Sequence, residues 1–112
     1  MTDEPTIEFR TEEQNHNGRV VLAVFGDLDL ASSDVVGARL DELRAAGEAV
    51  LLDIDALDFM DSSGLRMVLQ AAEKSDASGW SFSLTPGPEQ VRRLFESTRV
   101  TERLPIVGRP ER

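Results

Sequence analysis

Two largely apolar runs, Val20 to Phe25 and Ala49 to Ile54 (interrupted only by Asp53), flank a segment whose apolar residues repeat at helical spacing. No other feature of the chain restricts its fold as much. Val20 to Phe25 is apolar at every position and rich in β-branched residues, the pattern of a strand buried on both faces. Between the runs, Val36, Leu40 and Leu43 share one helical face. Ser32 or Ser33 can cap that helix, and Gly47 stands where a left-handed residue would end it. Strand, helix and strand in this order make a βαβ unit, with parallel strands and a right-handed crossover.

The flanking segments extend this unit. Ile7 and Phe9 alternate with Glu8 and Arg10, as in a strand with one wet face, and Asn15-His16-Asn17-Gly18 supplies turn chemistry for a hairpin back to Val20. A second helix is predicted from Ser62 or Ser63, with Leu65, Val68, Leu69 and Ala72 inward, stopping before Ser78-Gly79. Trp80, Phe82 and Leu84 alternate with serines as a third parallel strand. Pro88 suits the first position of a third helix, whose buried face is Val91, Leu94 and Phe95. Val100, Leu104 and Ile106 are expected to pack as a closing turn or edge element. The expected class is α/β: a mixed four- to five-stranded sheet with an initial β-hairpin, βαβ units and three to four packed helices. At 112 residues the chain is expected to be one domain, with a core over about 7–106 and frayed ends at Met1 to Thr6 and Gly108 to Arg112.

Charge narrows the partners. The balance of 21 acidic against 12 basic residues gives a net charge of −9, which repels phosphate backbones and anionic lipid surfaces. Direct nucleic-acid and membrane partners are therefore not expected, and a monomer or weak dimer is favoured over tight self-association. Cysteine is absent, so disulfide and thiol chemistry are excluded and no metal or other cofactor is expected. No apolar run approaches the roughly 20 residues that span a bilayer, and the acidic start Met1-Thr2-Asp3-Glu4-Pro5 is unlike a signal peptide. A cytoplasmic location is the expectation.

Parallel strands bring the loops at their C-terminal ends to one edge of the sheet, where sites in open α/β folds usually lie. One such loop carries Gly26-Asp27-Leu28-Asp29, and the other carries Asp58-Phe59-Met60-Asp61-Ser62-Ser63-Gly64-Leu65. Phe59 and Met60 are large apolar residues set in an acidic loop, where they could simply plug the core. Asp61, Ser62 and Ser63 are all good helix caps and need no other role. A serine at a helix start is equally an exposed hydroxyl beside free backbone N–H groups, where a phosphate is well tolerated.

Phe59-Met60-Asp61-Ser62-Ser63-Gly64-Leu65 resembles the signature of the STAS-domain anti-sigma factor antagonists, and Gly26-Asp27-Leu28-Asp29 resembles that family's Gly-Glu-Leu-Asp element. The similarity in pattern runs from about Ile7 to Ile106, so that the chain is expected to be a single STAS-like domain. The resemblance implies a partner-switching protein that is not an enzyme. Its unmodified form would bind an anti-sigma factor that is also a serine kinase and so release a sigma factor. The kinase would phosphorylate Ser62, the serine directly after the motif aspartate, and a serine phosphatase would reset the switch. Asp29, Asp61, Ser63, Gly64, Leu65 and Arg66 would then belong to the partner-binding surface. Arg99 departs from the pattern, since relatives often carry glycine there.

Other chemistries fit less well. A receiver-like phosphoacceptor domain would use Asp53, Asp55, Asp58 and Asp61, but it needs an acidic pair after the first strand and a lysine after the last, and no lysine follows Lys74. A serine hydrolase would need a base, and the one histidine, His16, belongs to the expected hairpin turn. Within the fold, a scaffold or an accessory subunit of a transport or stress complex is the alternative, because fold does not determine function.

Overall fold

A computed structural model describes residues 9–108. Met1 to Glu8, with Ile7 and Glu8 of the expected first strand, and Arg109 to Arg112 lie outside the described residues. Strand β1 (Arg10–His16) runs antiparallel to β2 (Arg19–Leu28), with His16 opposite Arg19. The turn is therefore only Asn17-Gly18, at φ of 56° and 81°, a doubly left-handed pair that Asn-Gly adopts readily. Helix α1 (Leu30–Ala45) crosses over to β3 (Val50–Asp53), which pairs parallel with β2 from Val20 opposite Val50 to Ala23 opposite Asp53. There follow β4 (Leu57–Met60), α2 (Ser62–Ser78), β5 (Phe82–Leu84), α3 (Glu89–Ser97) and a 3-10 turn over Thr101–Arg103. The sheet order is β1-β2-β3-β5, and β4 pairs with the far end of β2. This is the mixed α/β sheet with an opening hairpin that the hydropathy pattern predicts.

Val20, Leu22, Val24 and Leu28 on one face of β2 share a single core with Val36 and Leu40 of α1, Val68 and Ala72 of α2, and Val91 and Phe95 of α3. Val21, Ala23 and Phe25 point the other way and are only half-buried. The expectation that β2 is buried on both faces is thus corrected. The buried side chains of all three helices join the core on one side, and the reverse face is partly covered by such contacts as the Arg10 guanidinium, 4.0 Å over the Phe25 ring.

The first strand also differs from expectation. The strand runs on through Glu12 and Glu13, and all seven residues of this edge strand are exposed, where one wet face was expected. Glu13 is engaged from α1, where Arg39 approaches it at 2.5 Å. Gly47 holds the expected left-handed conformation at φ 76°, and Gly79 caps α2 in the same way at φ 75°. Pro88 caps α3 instead of opening it. Ile106 closes the sheet through a parallel bridge to Leu84.

Candidate functional site

The two loops meet because their strands do. Asp27 lies opposite Phe59 and Leu28 opposite Met60 in the parallel pairing of β2 with β4. Both strands then pass directly into helices, through Asp29 into α1 and through Asp61 into α2. The Asp61 N–H donates to the Leu28 carbonyl at 3.2 Å and ties the two helix starts together. Phe59 and Met60 are strand residues, contrary to the loop expected for them. Met60 fills the core, but Phe59 is 49% exposed, so the core-plug role holds for one and not the other.

Asp29, and not Ser32 or Ser33, caps α1. Its carboxylate accepts the Ser32 N–H at 3.1 Å, while the Ser32 hydroxyl accepts the Asp29 N–H at 2.8 Å, a reciprocal capping box. The Ser32 hydroxyl also donates to the Asp27 carbonyl at 2.7 Å and is buried. The Ser32 N–H, and then the Ser32 hydroxyl, hold the exposed Asp29 carboxyl below the usual carboxylate range.

Asp61 caps α2 with a carboxylate that accepts the N–H groups of Ser63 at 2.8 Å and Gly64 at 3.2 Å. Cap duty therefore falls on the aspartate, which leaves Ser62 exposed at the first helical position. Ser63 is half-buried. Gly64 is required for packing: a Cβ there would lie 2.8 Å from Met60 Cγ and 2.9 Å from the Leu28 carbonyl oxygen. Leu65 is buried in the core. Gly64 and Leu65 thus shape the site from beneath and present no exposed side chain on its surface. The exposed residues are Asp29, Ser62 and Arg66.

The nearby acidic residues serve the backbone. Asp53 accepts from the Asp55 N–H at 3.0 Å, and the buried Thr85 hydroxyl lies 3.3 Å from the same oxygen. Asp55 accepts from the Gly87 N–H at 2.8 Å. Among the described residues no group of three or more His, Cys, Asp or Glu side chains could hold a metal ion. His16 ends β1 and pairs with Arg19. No helix among the described residues is long and apolar enough to cross a membrane.

Residues beyond the sequence candidates join the site. Leu30, the first residue of α1, is 66% exposed and lines a groove between α1 and α2 together with Ser33, Ser63, Arg66 and Lys74. An aspartate followed three residues later by serine, Asp29 to Ser32, was the signal that would have placed Leu30 at the helix start.

A family model described as the STAS domain matches residues 8–109. The anti-sigma F factor antagonist of Paenibacillus polymyxa is 28% identical over 102 residues, covering 89% of this chain and 87% of its own. An anti-sigma factor antagonist from Mycobacterium paratuberculosis matches in structure with a TM-score of 0.77 over 91% of this chain and 87% of its own, and at 22% identity that likeness speaks for the fold. The anti-sigma factor antagonist SpoIIAA in its unphosphorylated form matches at 25% identity and a TM-score of 0.63, over 80% of this chain and 82% of its own. The Bacillus SpoIIAA structure in the phosphorylated form has a TM-score of 0.69 at 23% identity, over 93% of each chain.

Proposed function

Because the chain belongs to the STAS-domain family of anti-sigma factor antagonists, we propose that its unmodified form binds an anti-sigma factor that is also a serine kinase, and that phosphorylation of Ser62 ends this binding. Binding would release a sigma factor, and a serine phosphatase would restore the unmodified form. The chain performs no chemistry of its own in this cycle. The observation that carries the proposal is the exposed Ser62 at the first position of α2, joined to the Asp29 loop by the bond from the Asp61 N–H to Leu28. A related protein, SpoIIAA, has been solved both without and with its phosphate, which supports a modification of this kind.

The switch follows from charge. A phosphate adds about −1.5 to −2 charges at neutral pH. Its position at the helix N-terminus is tolerable to the fold, and the cap survives because Asp61 acts through Ser63 and Gly64, not through Ser62. Against a closely packed partner the same dianion has to be desolvated beside Asp61 and Asp29, and each 1.4 kcal/mol so lost weakens binding about tenfold. Asp29, Ser63 and Arg66, with the exposed Leu30, would form the contact surface.

Incubation with a serine kinase encoded beside this chain, with ATP, followed by mass spectrometry, should place one phosphate on Ser62. Ser62→Ala should take up none and remain folded. Titration calorimetry should find the phosphorylated form binding that kinase at least tenfold more weakly. Equal affinities would overturn the proposal, and a phosphate on Ser63 would move the site.

A further inference from the structure

We propose that Arg66 is the counter-ion of a phosphate on Ser62, so that the modified chain neutralises part of its own new charge. This rests on Ser62 as the modified residue and adds the group that receives the phosphate.

Ser62 and Arg66 stand four residues apart on α2, the spacing at which helix side chains are neighbours. Both are exposed. The other cations on α1 and α2 are paired: Lys74 contacts Asp41 at 2.8 Å, Arg39 contacts Glu13 and Glu42, and Arg44 lies 3.7 Å from Asp41. Arg66 makes no ion pair among the described residues.

The chemistry favours arginine for this duty. A guanidinium offers a planar fork of donors that matches two phosphate oxygens, and it stays charged at every physiological pH. Before modification, Arg66 has no ion pair among the described residues and is available to a partner's carboxylate. After modification, the phosphate draws it along α2. Phosphorylation would therefore change the surface twice, by adding a dianion and by withdrawing a cation from the partner.

The pairing is tested without any kinase, on the full chain carrying phosphoserine introduced genetically at position 62. The second ionisation of the phosphate is followed by phosphorus NMR. A neighbouring cation favours the dianion, so its pKa should be lower in the native background than in Arg66→Gln, by about half a pH unit. The difference should shrink in about 1 M salt, where screening reaches roughly 3 Å. Arg66→Lys should retain part of the effect, whereas Arg92→Gln, which removes an exposed arginine from α3, should leave the pKa unchanged. Equal values for the native background and Arg66→Gln, with both chains folded by amide NMR, would overturn the inference, as would an equal effect of Arg92→Gln. Failure of a kinase to modify Ser62 would instead count against the proposed function and leave this pairing standing.

Discussion

The starts of α1 and α2 use similar parts in different order. Each opens on an aspartate at the end of a strand, Asp29 after β2 and Asp61 after β4. In α1 the serine stands three residues after the cap, and its hydroxyl is buried between the Asp29 N–H and the Asp27 carbonyl. In α2 that third position is Gly64, pressed against Leu28 and Met60, and the serine directly after the cap is exposed. A serine hydroxyl is thus consumed by the fold at one helix and left available at the other. The position relative to the cap, and not the residue type, separates a serine held by the fold from one left on the surface.

The largest effect is expected from Gly64→Ala. Its new methyl would meet backbone as well as a side chain, so α2 has to shift from β2, at a cost of about 1–3 kcal/mol. A guanidinium midpoint equal to that of the unchanged protein would show that α2 is not held so closely. Exchanging the serines sharpens the contrast further. Ser32→Ala should cost about 1 kcal/mol, because two backbone groups lose their partner, while Ser62→Ala should stay within about 0.5 kcal/mol. Similar losses in urea titrations of the two variants would remove the distinction between the helix starts.

The smallest effect concerns pH. The Asp29 carboxyl is held below the usual range by the Ser32 N–H and hydroxyl. A depressed folded-state pKa stabilises fully above the unfolded value, near 3.9 for aspartate, and that contribution is lost as pH falls through the folded value. Asp29→Asn can still cap but does not titrate there. Thermal melts should therefore show the native chain losing stability relative to Asp29→Asn below about pH 4, with no such change between pH 6 and 8. A constant difference across the acid range would place the capping box elsewhere.

Much of this was legible along the chain. The unit of β2, α1 and β3 follows from two apolar runs and one helical stripe, and the hairpin follows from Asn17-Gly18. Arg99, where the family resemblance points to glycine, sits just beyond the α3 cap at φ 61°, a left-handed conformation that glycine adopts without strain. Other features were hidden. Ser32 and Ser33 are strong capping residues, but Asp29 competes for the same role and the reciprocal bonds decide it. β4 looked like a loop because Asp58 and Asp61 surround its apolar pair, and its evidence lies in β2, some thirty residues away.

Sequence alone determined the opening hairpin, the unit of β2, α1 and β3 with its parallel crossover, and which two loops share an edge, because periodicity and chain direction are local properties. It also marked Asp29 and Ser62 through their two motifs. Tertiary structure decided what each residue does there. The pairing of β4 with β2 brings Asp61 to the Leu28 carbonyl, excludes any side chain at Gly64, and buries Leu65, while Ser62 and Arg66 remain on the surface. Those outcomes depend on contacts between segments distant in sequence, and no window of neighbouring residues contains them.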